Sequence, residues 1–315
     1  MNGMPSPQTT QTYIFASLDP RPEDKVPAAA EANAKVFGAG APVYGIEVTS
    51  PPLSKRCSFN LDPQHGPTGD PRTSAIEAAL TVDLPAPGSI FATVRPDKDS
   101  IGAMAVLALR AAGKSEQIDN RLVAAIGRMD GLGPQARDLK VVQENQEAIT
   151  ASDYVCFDRK LTIDQKVDWM SNLLIGEVSD AVIGGFAFTA REELEKAKAS
   201  LQVSVLPGNR VGIVVGNSPR GFDVGYATGV PVVIAFSPSF LRPGAGPDES
   251  PVQKWTVARY SSAAPLDMAA LKARLSELEQ GWGGPADLVA SPQGMTSAIP
   301  AEKIIALVLE ALINS

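Results

Sequence analysis

The stretch Phe91-Ala92-Thr93-Val94-Arg95-Pro96-Asp97-Lys98-Asp99-Ser100-Ile101-Gly102-Ala103 restricts the chain to few folds. An apolar, partly β-branched run from Ile90 to Val94 stops at Pro96, which has no N–H to give to a ladder, and small residues then open a helix. The grammar is strand, loop at the carboxyl end of the strand, helix start. In an open α/β sheet such a crevice is where ligands bind, and Asp97 and Asp99, on alternate positions, can both turn into it. A helix beginning at Ser100, a good N-cap, adds the positive end of its dipole to the same place. A second reading stays open, in which Asp99 only caps the helix and Asp97 sits in solvent.

The same grammar occurs earlier. Cys57 to Leu61 alternates as a strand, Asp62-Pro63 ends it, and a Gly/Pro turn containing His65 leads to a helix over Ser74–Leu80. Before it, Thr12–Leu18 reads as a strand, Pro27–Phe37 as a helix and Pro42–Val48 as a second strand, so the chain alternates α and β from the start. Asp62 and His65, the one histidine of the chain, stand just beyond a strand end as Asp97 and Asp99 do, and neighbouring parallel strands would bring the two ends together.

After Gly113 a helix is expected over Asp119–Arg128, leading to Asp130, which is either a further carboxylate of the site or a cap of the turn before Gly131. Asp153–Phe157 reads as a short strand ended by Asp158, and Thr162–Leu174 as a helix that bridges two domains. Gly184-Gly185 reads as a break, followed by a charged helix over Ala190–Leu201. Strands follow at Val211–Val215, Val230–Phe236 and Trp255–Tyr260, with helices at Leu266–Gln280 and Ala301–Leu312. Asn217, Ser218 and Arg220, at a Gly-rich strand end, suit an anionic ligand or a plain turn with a surface arginine. Gly281-Trp282-Gly283-Gly284 is the last informative cluster. The whole predicts a two-domain α/β protein: residues 1–175, a mainly parallel sheet with flanking helices, a frayed N-terminus and a C-terminal linker helix, and residues 181–315, a smaller mixed α/β domain.

Bulk properties narrow the chemistry. A net charge of −7 and a pI near 4.9 argue against long nucleic acid, which needs a basic surface. No apolar run approaches the roughly 20 residues of a membrane span, and the first residues carry no export or transit pattern. Cys57 and Cys156 make neither a C-x-x-C motif nor a disulfide framework; both read as small hydrophobes, in keeping with a reducing cytoplasm.

Pro96-Asp97-Lys98-Asp99-Ser100-Ile101-Gly102-Ala103-Met104 resembles the first motif of the DHH phosphoesterases, with Thr93 where that family carries a histidine. Asp62 and His65 are distantly similar to its aspartate-histidine-histidine motif, in reversed order. Gly281–Gly284 resembles the glycine signature of the DHHA1-type domain that follows, with Trp282 interrupting it and Pro285 in the place of a histidine. The resemblance covers Ser89 to the C-terminus. It implies a metal-dependent phosphohydrolase of a small phosphoester or nucleotide in an interdomain cleft. Asp62, His65, Asp97, Asp99 and Asp130 would hold Mn²⁺ or Mg²⁺, with Asp97, Asp99, His65 and Arg95 catalytic. Asn217, Ser218, Arg220, Gly281, Gly283 and Gly284 would hold substrate, and a homo-oligomer is compatible. The alternative is an inactive nucleotide or small-anion binding protein on the same scaffold, because Arg95 and Lys98 bring two cations into the motif.

Overall fold

The computed structural model describes residues 13–63, 73–217, 221–241, 245, 249–284, 286–292 and 294–312. It is α/β, and it divides into two compact units, chiefly residues 13–132 with 136–190, and residues 191–241 with 249–312. Among the described residues no helix is long and apolar enough to cross a membrane.

The first unit runs β1 (Ile14–Ser17), α1 (Pro27–Phe37), β2 (Val43–Ile46), α2 (Pro51–Ser54), β3 (Phe59–Leu61), α3 (Ala75–Ala78), β4 (Ile90–Thr93), α4 (Lys98–Ala111), α5 (Asn120–Leu132), α6 (Lys140–Glu144), α7 (Gln146–Phe157), α8 (Ile163–Leu174) and α9 (Asp180–Ser200). Its four strands form one sheet in the order β1-β4-β2-β3, every pair parallel. The central strand β4 is buried along its length and feeds both faces by simple alternation. Phe91 joins the core built by Ile101, Met104, Ile126 and Met170, while Ile90, Ala92 and Val94 join Leu18, Val43 and Leu53 on the other face. A parallel sheet needs this double cover.

Five of the expected features are corrected. β3 and β4 are not neighbours, because β2 lies between them. The helix after β4 starts at Lys98, not Ser100: Asp97 is the N-cap, its carboxylate accepting from the Ser100 N–H at 3.1 Å while the Ser100 hydroxyl bonds back to the Asp97 N–H, a reciprocal box that outcompetes the later start. Asp153–Phe157 is not a strand but the end of α7, since a run that short carries no period of its own. Gly184 and Gly185 lie inside α9, where they cost about 1 kcal/mol each relative to Ala without breaking it. The units divide within α9, after Ala190, and not at residues 176–180; Val182, Ile183 and Phe186 of its first half pack on the core of the first unit.

The second unit comprises β5 (Gln202–Val205), β6 (Val211–Val215), α10 (Gly221–Tyr226), β7 (Val232–Phe240), β8 (Val252–Arg259), α11 (Met268–Leu278), β9 (Leu288–Ala290) and α12 (Ala301–Ala311). Its strands pair in sequence order, β6 with β7 parallel and the rest antiparallel. Ile234, Val257, Leu271, Leu275, Trp282 and Leu307 build its core against α11 and α12.

Candidate metal centre

Parallel strands put all their carboxyl ends on one edge, and the residues after them are acidic: Asp19 beyond β1, Glu47 directly after β2, Asp62 directly after β3, and Asp97 and Asp99 beyond β4. Asp19 is committed elsewhere, to Arg21 at 2.6 Å. Glu47, Asp99 and Asp130 come together: one carboxylate oxygen from each lies within 4.8 Å of the other two, and among the described residues theirs is the one such group able to hold a metal ion.

Each member is positioned by a local device. Asp99 is fully buried on the first turn of α4, and its two oxygens accept from the Ala75 and Ile76 N–H groups of α3 at 2.8 and 3.0 Å. That approach depends on Gly102, where a Cβ would stand 2.4 Å from the Ile76 side chain. Glu47 adopts φ +51°, a left-handed conformation that a non-glycine residue keeps only when its surroundings impose it. They do: the Glu47 N–H bonds to the Leu61 carbonyl at 3.0 Å, and the Asn60 amide accepts from the Val48 N–H and donates to its carbonyl. Gly45 leaves room for that amide, since a Cβ there would lie 2.5 Å from Asn60 Oδ1. Asp130 arrives on the last turn of α5, inside the helix and not as a cap of the turn after it.

The electrostatics follow from this packing. Burial, and then the negative charges of Asp99, Asp97, Asp130 and Asp62, push Glu47 well above the usual carboxylate range. Asp99 is pushed well up by burial and by Asp130 and Asp97, although its two backbone hydrogen bonds pull the other way. Carboxylates raised in this manner lack a compensating positive charge. An all-oxygen donor set of this kind is the type that hard divalent cations take.

The cations of the motif are placed elsewhere. Arg95 Nε stands 3.2 Å from Asp97 Oδ2, with the arginine side chain 60% exposed. Lys98 Nζ meets Asp153 Oδ1 of α7 at 2.8 Å, so neither cation is paired with Asp99. Thr93, in the position of the family histidine, is buried, and its hydroxyl closes the turn to Arg95, accepting from the Arg95 N–H and donating to its carbonyl, both at 3.2 Å. Asp62 and Asp97 lie outside the triad but inside its field. Burial pushes the Cys57 thiol up to about 11 and Cys156 further still, so neither is a thiolate nucleophile near neutral pH.

His65, Ser218 and Arg220 lie outside the described residues. In the second unit Asn217 Oδ1 accepts from the Ser237 hydroxyl and the Ser239 N–H. The Gly281–Gly284 turn is knitted into the sheet: Gly283 and Ala290 exchange both backbone hydrogen bonds at 3.1 and 2.8 Å, the Gly284 carbonyl accepts from Lys272, Gly281 lies against Pro292, and Trp282 is buried. Glu47 is the residue that sequence reasoning missed. Extending the second strand to Val48 absorbed it, although the signal was the one used for Asp62, an acid at a strand end.

No family model matches the chain, and no curated protein is detectably similar to it.

Proposed function

We propose that the chain is a divalent-metal-dependent phosphohydrolase acting on a small phosphoester or nucleotide-type substrate, with a DHH-like first unit and a DHHA1-like second. The observation that carries this reading is the convergence of Glu47, Asp99 and Asp130 on one point, with Glu47 and Asp99 pushed up for want of positive charge. Glu47, Asp99 and Asp130 would hold the ion, Mn²⁺ or Mg²⁺, because their donors are all oxygen. When bound, the ion supplies a Lewis acid for a phosphoryl oxygen and makes water a better nucleophile at neutral pH.

The remaining work falls to the chain. The Ala75 and Ile76 N–H groups fix both Asp99 oxygens, so its orientation is set before any ligand arrives. Asp97 holds Arg95 beside the site, where the exposed guanidinium offsets charge on the phosphoryl oxygens. Without a cation the acidic edge repels an anionic substrate, so metal must precede substrate.

Phosphate release from a panel of nucleotides and small phosphoesters tests this. The expected result is turnover with Mn²⁺ or Mg²⁺, none after EDTA, and a loss of more than about 100-fold in Glu47→Gln and in Asp130→Asn, since even residues behind the ligands cost 10–100-fold. The Arg95–Asp97 pair supports the alternative, a non-catalytic nucleotide or small-anion binding protein. A nucleotide that stabilises the protein equally with and without EDTA, with no phosphate released, would replace the hydrolase reading by that one.

A further inference from the structure

Side chains alternate along a strand, so in an unbroken β2 the residues Val43, Gly45 and Glu47 would share one face of the sheet, and Tyr44, Ile46 and Val48 the other. The chain keeps this alternation only as far as Ile46. Tyr44 and Ile46 join the core on the α4 face, and Val43 joins the core on the opposite face. Val48, two residues after Ile46, is buried in that opposite core as well, out of step with an extended chain. Between them stands Glu47 at φ +51°, and a left-handed residue inside an extended run is what reverses the sides. Had the strand run on, the Glu47 carboxylate would lie on the Val43 face, away from α4 and its Asp99.

One side chain holds the reversal in place. Asn60 is opposite Gly45 in the β2–β3 ladder, whose last pair is Ile46 with Leu61. Its amide reaches past Gly45 to Val48, accepting from the N–H at 3.1 Å and donating to the carbonyl at 3.2 Å, so both backbone groups of the residue after Glu47 are fixed. We propose that Asn60 is a positioning residue of the metal centre: its clamp on Val48 keeps Glu47 left-handed and turns the carboxylate from the Val43 face towards Asp99 and Asp130. The inference rests on the metal-binding part of the reading above and is independent of catalysis. A non-glycine residue leaves the left-handed region once its surroundings stop imposing it, so loss of the amide costs metal affinity and not stability alone.

Calorimetric titration of the full chain with MnCl₂ alone decides it, with urea unfolding in EDTA to show that each variant is folded. Asn60→Ala should weaken Mn²⁺ binding by about tenfold or more, as the loss of residues behind metal ligands does. Gly45→Ala should do the same with Asn60 in place, because its Cβ would stand 2.5 Å from Asn60 Oδ1 and displace the amide. Asn33→Ala is the control: the Asn33 amide makes the same pair of bonds to the Asp19 N–H and carbonyl beyond β1, at 2.8 and 2.9 Å, and its loss should lower stability but leave Mn²⁺ affinity unchanged. A folded Asn60→Ala that binds Mn²⁺ as the wild type does, or an Asn33→Ala that loses as much affinity, overturns the proposal; if Asn60→Ala fails to fold, Gly45→Ala decides by the same criterion. A wild type that takes no Mn²⁺ sinks the metal reading and this inference together. Binding without phosphate release removes only the hydrolase reading.

Discussion

Glu47 and Asp99 in the first unit, both buried, and the partly buried Glu279 in the second are acids with opposite fates. The first two lie at the end of a parallel sheet among other carboxylates, and burial with like charge pushes both up. Burial acts on Glu279 in the same sense, but the Ala298 N–H, the Ser297 hydroxyl and the Trp282 indole N–H all donate to it, at 2.8, 2.6 and 2.8 Å, and hold it below the usual range. Glu279 fastens the glycine turn to the segment before α12 and is satisfied by the protein alone. Glu47 and Asp99 are instead raised by burial and by the charge of neighbouring carboxylates. The comparison separates an acid held low by three hydrogen-bond donors from acids pushed up by burial among like charges, a difference that residue type alone does not give.

Three experiments sharpen or break that contrast. The largest effect expected is from the ion itself: Mn²⁺ at about 100 times its dissociation constant should stabilise the fold by roughly 2.7 kcal/mol. Hydrogen exchange should place the gained protection at the amino ends of α3 and α4 and none at the Glu279 clasp. Equal protection in both units would erase the distinction.

Next, Glu279→Ala should destabilise by about 2 kcal/mol by stranding three donors, read from urea unfolding. Because its folded pKa is depressed, the Glu279 contribution is present above the unfolded value and is lost as pH falls through the folded one. The Mn²⁺ shift should survive this substitution intact.

The smallest effect is of the opposite sign. Glu47 holds its proton in the folded state above the pH at which the unfolded chain releases it, so stability falls as pH rises from the ordinary glutamate value, 4.5, through the raised folded one. In EDTA, Glu47→Gln should therefore be more stable than wild type by about 1 kcal/mol at pH 8 and equal to it at pH 4. A Glu47→Gln that is less stable at both pH values would make Glu47 a clasp like Glu279.

Much of the architecture was legible because it is carried locally. The apolar run before Pro96, the Ser74 and Thr162 caps of α3 and α8, and the exact span of α1 each follow from a few adjacent residues. The Asp97-x-Asp99 pair was legible as acid beyond a strand, but not which aspartate would cap and which would be buried, since both choices begin a helix acceptably. Where the local signal was weak it misled, as at Asp153–Phe157, five residues too few to show a period.

From the chain alone came an alternating α/β order, two units, and acidic residues at the ends of strands. Only the tertiary structure decided which acids meet. Placing β2 between β3 and β4 hands the neighbouring position to Glu47 in place of Asp62, and the packing of α5 and α7 assigns Asp130 to the cluster and Asp153 to Lys98. The physical reason is that propensity and periodicity act over a few residues, whereas strand order and helix docking are settled by how whole faces bury one another across the sheet.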